Sequence, residues 1–233
     1  MNRVGLIARV TLGIISAAAL SSCGGGGGTL PPPACVNTST LACTQSGALR
    51  GIVAGNLVAF RGIPYSAPPV GNLRWKAPQP PTSWSGVRDA STFGNVCPQI
   101  NSAGVYAGDE DCLVLNVYVS QTPPNHNQPV MVFFHGGGNV SGDTQYTPTS
   151  LDAPPLADQG VVVVTAEYRL GILGFLATSQ LTAEGGGSSG AYALLDMIAA
   201  LTWVKQNIAA FGGDVRGQTH VSGNSGNCHE HQA

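Results

Sequence analysis

The chain has 233 residues, of which 43% are hydrophobic and only 9% charged, and its net charge is -2. This is enough for one sizeable core and too little for several, and the scattered Lys and Arg residues form no basic stripe that could track a phosphate backbone, which argues against a nucleic-acid partner. The 32 glycines and 16 prolines gather in turns and in two low-complexity runs rather than at a fixed period, so the composition suits a loop-rich enzyme and not a repeat array.

At the N-terminus, Arg3 and Arg9 precede an apolar, small-residue run from Val10 to Leu20. This reads as an export signal and is too short to span a bilayer stably. It closes on Leu20-Ser21-Ser22-Cys23, which resembles the lipobox of bacterial lipoproteins and makes Cys23 the expected lipidated residue. The alternative is an ordinary signal peptide cut near Ala17 to Ala19. A flexible Gly24 to Gly28 run and a stiff Pro31 to Pro33 run follow and suit a tether. The expected organisation is an export signal over 1–23, a tether over 24–45, an enzyme domain over 46–226 and a polar tail over 227–233. The expected place is the cell envelope, with membrane contact through the lipid anchor only, or a periplasmic or secreted location. In an oxidising compartment cysteines pair more often than they bind metal, and no zinc spacing is present. Cys35 and Cys43 are close enough to close a small loop, Cys97 and Cys112 to close a second, and Cys228 is left over.

Beyond the tether, Leu49 to Val53 and Leu57 to Phe60 flank Ala54-Gly55-Asn56, a pattern that predicts a hairpin. Prolines 64, 68, 69 and 78 then forbid helix and predict an ordered meander from Ile63 to Pro81. Leu113 to Val119 reads as a strand. Val130 to Phe134 and Val161 to Thr165 are short continuous apolar runs, which predict central strands covered on both faces and a parallel component to the sheet. From Tyr192 to Ala210, Leu194, Leu195, Ile198, Leu201 and Ile208 recur at helical spacing, with Gly212-Gly213 as the stop. Thr219 to Ser222 predicts a further strand. Strands alternating with helical pattern point to an α/β fold, in which ligands sit at the carboxyl ends of strands.

Two glycine-rich turns fall at such ends. His135-Gly136-Gly137-Gly138 follows the Val130 strand, and Gly223-Asn224-Ser225-Gly226 follows the Thr219 strand. Consecutive glycines offer unobstructed backbone N–H donors of the kind that stabilise the oxyanion of an ester under attack. Gly-x-Ser places a hydroxyl at the tip of a strained strand-to-helix turn, making Ser225 the candidate nucleophile, although the full G-x-S-x-G pattern is interrupted by Asn227.

Linked motifs run along the rest of the chain. They are Phe60-Arg61-Gly62-Ile63-Pro64-Tyr65, Pro68 to Arg74, Glu110-Asp111-Cys112-Leu113, His135 to Gly138, Tyr168-Arg169-Leu170-Gly171, Gly174-Phe175-Leu176, Leu194-Leu195-Asp196 and Phe211-Gly212-Gly213-Asp214. In order and spacing they resemble the type-B carboxylesterase and cholinesterase family, over about Ser46 to Ser225. The resemblance implies the N-terminal portion of an α/β-hydrolase fold: a mixed, mostly parallel sheet with flanking helices, preceded by a small antiparallel hairpin. It implies Ser225 as the acyl-forming nucleophile, Gly137, Gly138 and Gly226 as oxyanion donors, and a Cys97–Cys112 disulfide. It implies a small-molecule ester as substrate, with no cofactor and no metal. Arg169, Asp196 and Asp214 are expected in ion pairs or turn hydrogen bonds, and Trp75, Trp84 and Trp203 in the core.

The sequence departs from the family at three points. Val215 follows Asp214 where proline is usual, and the segment to Ser225 is one residue longer than expected. After Ser225, Asn227 to Gln232 is polar apart from Cys228, so it cannot supply a buried helix face. The matching acid and histidine lie further along in family members, so the chain is expected to be truncated after its nucleophile and inactive alone. His229 and His231 would sit on the wrong side of the serine to act as base, and with Cys228 they form no supported metal site. The rival expectations are a non-catalytic cholinesterase-like binding module and a fragment without function.

Overall fold

In the computed structural model of the chain, the described residues are 35–101, 103–121, 126–145, 154–216 and 219–223. The expected export signal with Cys23, the two glycine and proline runs, Ser225, Gly226 and the polar tail lie outside them.

The described part opens with β1 (Leu41–Thr44) and β2 (Gly47–Arg50), an antiparallel pair closed off by a Cys35–Cys43 disulfide. β3 (Ile52–Ala54) and β4 (Leu57–Pro64) form the next hairpin, with Ala54 opposite Leu57 and Gly55 at φ 61° in the two-residue loop. The expected strand Leu49 to Val53 is therefore not continuous. It breaks at Gly51, where a side chain would strike the Ala59 carbonyl and the Phe60 ring, and the two pieces join different sheets. The Pro-rich meander holds a single 3-10 turn at Gly71–Leu73 before β5 (Val87–Asp89), which pairs parallel with β2. Two short strands, β6 (Gln99–Ile100) and β7 (Tyr106–Ala107), pair within the loop that the Cys97–Cys112 disulfide closes.

The large sheet is completed by β8 (Val114–Ser120), β9 (Val130–Phe134), β10 (Val162–Ala166) and β11 (Thr219–Gly223), in the order β11-β9-β10-β8-β4-β3. The sheet is mixed but not mostly parallel. β9 pairs parallel with β10 and β11, whereas the β10–β8, β8–β4 and β4–β3 pairings are antiparallel. The reason is local: β3, β4 and β8 run as a meander, and helical crossovers begin only after β9. Between β4 and β8 the register slips at Arg61-Gly62, and Gly62, at φ 62°, presses so close to Thr92 and Gly94 that a Cβ would meet their backbone.

Among the described residues the helices are α1 (Pro154–Ala157), α2 (Gly171–Phe175), α3 (Ser179–Glu184) and α4 (Tyr192–Asn207). α4 runs into a 3-10 turn at Ile208–Phe211 and stops at Gly212, which takes φ 84°. α4 and this turn cover one face of the sheet, with Trp203, Val204, Ile208 and Phe211 packed on Phe60, Val117, Val132 and Val164. Phe60 and Phe211 meet edge to face at 5.0 Å. On the other face, Ala157 of α1 joins Leu57, Tyr118 and Val163. β10 is buried throughout, but in β9 Met131 and Phe133 are only half-buried, so the expected cover on both faces is incomplete there among the described residues.

The rotation of α4 also differs from expectation. Leu194, Leu195 and Ile198 are exposed, and the inward face is Ala193, Asp196, Ala200, Trp203, Val204 and Asn207. Arg169 explains it. Its guanidinium is buried and forks onto both carboxylate oxygens of Asp196, at 2.8 and 2.7 Å. Turning Asp196 away would strand a buried cation at a cost of about 3–5 kcal/mol, which offsets much of what burying the partly exposed Leu194, Leu195 and Ile198 would gain. Burying Trp203 adds to the same rotation.

Candidate active site

The sheet brings two strand ends together. β11 pairs with β9 in parallel register, Thr219 opposite Val130 and Gly223 opposite Phe134. Both strands therefore finish level, and His135-Gly136-Gly137-Gly138 leaves the sheet beside the end of β11. Ser225 follows Gly223 by two residues and, with Gly226, lies outside the described residues.

Three successive residues, Gly137, Gly138 and Asn139, take positive φ of 116°, 63° and 64°. At Gly137 a Cβ would sit 1.9 Å from the Ser141 carbonyl oxygen, so no other residue fits. The Gly137 carbonyl accepts from the N–H groups of Val140 and Ser141, both at 3.2 Å. The N–H groups of Gly137 and Gly138 donate to no acceptor among the described residues. They are thus available as donors to a ligand, the property an oxyanion site requires.

The surroundings hold this turn tightly. The Asn139 carbonyl accepts from Gly171 N–H at 2.7 Å, which ties the turn to the start of α2. The hydroxyl of Tyr168 donates to the His135 carbonyl at 2.7 Å. Gln99 makes a reciprocal pair with Gly142: its Nε2 donates to the carbonyl at 2.9 Å and its Oε1 accepts from the N–H at 2.8 Å. Because Gln99 lies two residues past Cys97, the Cys97–Cys112 disulfide loop and the glycine turn are joined. An apolar cleft opens on the outer side of the turn, lined by Gly138, Val140, Ile172 and Phe175.

Behind the turn is a buried polar cluster that sequence reasoning missed. Glu167, at the end of β10, accepts from both the N–H and the hydroxyl of Thr144 through Oε1, each at 2.7 Å. Its Oε2 faces His135 Nε2 at 3.5 Å, an ion-pair contact longer than a good hydrogen bond. His135 Nδ1 lies 2.8 Å from the Gly136 carbonyl oxygen, and the imidazole stacks on Tyr168 at 4.5 Å. Asn116 donates to Thr144 and Thr165 hydroxyls and accepts from Gly62 N–H, each at 3.0 Å. Burial opposes protonation of His135, but the Glu167 carboxylate, with the Gly136 carbonyl and Asp143, outweighs it and holds the imidazole's proton affinity above that of an ordinary histidine. Burial, with the Glu167 charge adding, pushes the Tyr168 phenol up to about 12, so it stays a neutral donor. The only sequence signals for this cluster were polar Asn116 and Thr165 inside apolar strands and a glutamate directly after one.

The remaining expected residues are placed as follows. Arg169 pairs with Asp196, and Asp214 accepts from the Arg216 N–H at 2.8 Å. Trp203 is buried, but Trp84 and Trp75 are only half-buried. Trp75 lines a cleft with Ile100, Tyr106 and Ile172 and donates to the Ile172 carbonyl at 2.9 Å, so it is not a core residue. Among the described residues no group of three or more His, Cys, Asp or Glu could hold a metal ion, and no helix is long and apolar enough to cross a membrane.

Residues 35–226 match the carboxylesterase family. The chain is 48% identical over 176 residues to fumonisin B1 esterase of Sphingopyxis macrogoltabida, covering 73% of this chain and 32% of that protein. It is 42% identical over 184 residues to para-nitrobenzyl esterase of Bacillus subtilis, covering 76% and 36%. A solved PNB esterase structure superposes with a TM-score of 0.71 at 40% identity, over 81% of this chain and 38% of that one. The chain thus spans about a third of the length of these relatives. A strand-end glycine turn whose N–H donors are unused among the described residues, a family match from Cys35 to Gly226 and a superposition at 40% identity lead to one conclusion: the chain belongs to the carboxylesterase family.

Proposed function

We propose that this chain carries the acylating portion of a serine carboxylesterase acting on a small-molecule ester. The Ser225 oxygen attacks the carbonyl carbon and yields its proton to a base, and the N–H groups of Gly137, Gly138 and Gly226 stabilise the oxyanion. Collapse of the intermediate expels the alcohol and leaves an acyl-serine, which water hydrolyses. The observation that carries this reading is the level, in-register pairing of β11 with β9. Two residues of chain reach at most about 7 Å, and this short reach from the end of β11 supports the reading of Ser225 as served by the glycine turn. This chemistry calls on no cofactor.

The base and its acid belong, in this reading, to the part of the relatives' length that the 233 residues do not span. The chain alone then turns over an activated aryl ester far more slowly than about 1 s⁻¹, the low end of ordinary enzymes, because losing the base of a triad costs about 10⁶-fold. The assay compares the chain with a Ser225→Ala variant to subtract hydrolysis by surface groups. Turnover of about 1 s⁻¹ that the substitution abolishes would place a base within these residues and overturn this division of labour.

A further inference from the structure

We propose that Glu167 is a positioning residue for the glycine turn, acting through His135 to orient the Gly137 N–H. The proposal rests on the oxyanion role given above to that turn. The Gly136 carbonyl and the Gly137 N–H belong to the same planar unit and point in opposite directions. Whatever grips the carbonyl therefore aims the N–H, and His135 Nδ1 lies 2.8 Å from that carbonyl oxygen.

A neutral imidazole has one N–H and an imidazolium has two. Only the cation donates to the Gly136 carbonyl from Nδ1 while facing the Glu167 carboxylate with Nε2–H. Glu167 is fully buried, and neither its Oε2 nor His135 Nε2 has a hydrogen-bond partner among the described residues, so each is the other's only counterpart there. The second carboxylate oxygen holds Thr144 through two bonds. One side chain thus secures both ends of the segment 135–144, whose middle is the turn. Space enforces the arrangement, since a Cβ on Gly142 would sit 2.2 Å from the Gly136 oxygen and 2.4 Å from His135 Nδ1.

The other ionisable groups facing the imidazole are Tyr168, stacked on it from the end of β10, and Asp143 from the segment after the turn. Gln99, behind Gly142, is neutral, and Arg169 is committed to Asp196. Glu167 and Asp143 both favour the cation, so the aimed form of the turn prevails below the raised His135 midpoint and is lost as pH rises through it.

The test is an NMR titration of the whole ¹⁵N-labelled chain from about pH 5 to 9, the span over which histidines switch, following the His135 ring and the Gly137 amide. The expected result is one shared curve. In Glu167→Gln the amide oxygen still accepts from Thr144 while the charge is gone, and the proton affinity of His135 falls about tenfold or more, carrying the Gly137 curve with it. A Gly137 amide that ignores the His135 titration, or a His135 curve unchanged in the variant, would overturn the proposal. Should the variant not fold, the wild-type titration decides by the same criterion. No ester is present, so failure here is separate from failure of the esterase reading.

Discussion

Arg169 takes a full charge into the interior and is made tolerable there by Asp196, by the Lys76 carbonyl at 2.9 Å and by the Tyr192 ring beneath its guanidinium. A buried cation of this kind gives the neighbouring carboxylate a structural value far above that of an exposed pair such as Lys76–Glu184. Asp196→Ala is expected to destabilise the chain by about 3–5 kcal/mol in urea denaturation. A joint replacement of both residues by apolar ones of similar volume should cost less. A loss below about 1 kcal/mol, the range of a surface pair, would mean that Arg169 finds another partner or reaches solvent. The motif that contains Arg169 and the one that contains Asp196 were both visible in the sequence, and an ion pair or a turn hydrogen bond was expected of each. Their mutual pairing was not visible, because 27 positions separate them and only the packing of α4 on the sheet brings them together.

At the level of elements, the strands were the most legible part. The continuous apolar runs at β9 and β10 announced themselves, because a strand buried in the middle of a sheet needs apolar residues on both sides of its pleat. The rotation of α4 was not legible. Apolar periodicity pointed to Leu194, Leu195 and Ile198, and an ion pair with a residue on another element decided otherwise. The break at Gly51 depended similarly on a contact with Ala59 and Phe60 across the hairpin. The Cys97–Cys112 loop is the element that links the sheet's periphery to the glycine turn, through the two Gln99 bonds to Gly142. Closing a loop with a sequence separation of 15 contributes about 3 kcal/mol in the chain-entropy account. The double Cys97→Ala, Cys112→Ala variant should lose about that much stability, and amide exchange at Gly142 should accelerate. Unchanged exchange at Gly142 would show that the loop and the turn are independent.

On the scale of the whole molecule, the fold acts as a register device. Two strands distant in sequence are paired so that both finish at the same end of the sheet at the same height, with the glycine turn of residues 135–138 following one of them. The turn after β9 was legible as consecutive glycines following an apolar run, and Gly137, with no room for a Cβ, shows why glycine is required there. The buried support behind it was not legible, since a single glutamate after a strand carries no spacing signal until the fold sets it against His135 and Thr144.

The central claim, that Ser225 is an acylating serine served by this turn while its base lies elsewhere, is tested most directly by mapping where an activated acetyl ester leaves its acyl group. The chain is incubated with the ester for hours and digested, and the acetylated peptides are identified beside those of Ser225→Ala. Without the base both acylation and deacylation of the serine are slow, but oxyanion donors alone still leave about 10³- to 10⁴-fold over water, so an acyl-serine formed over hours is cleared as slowly as it is made. The account predicts a single acetyl group accumulating on Ser225 without turnover. Acetylation spread over surface lysines with Ser225 unmodified would contradict it.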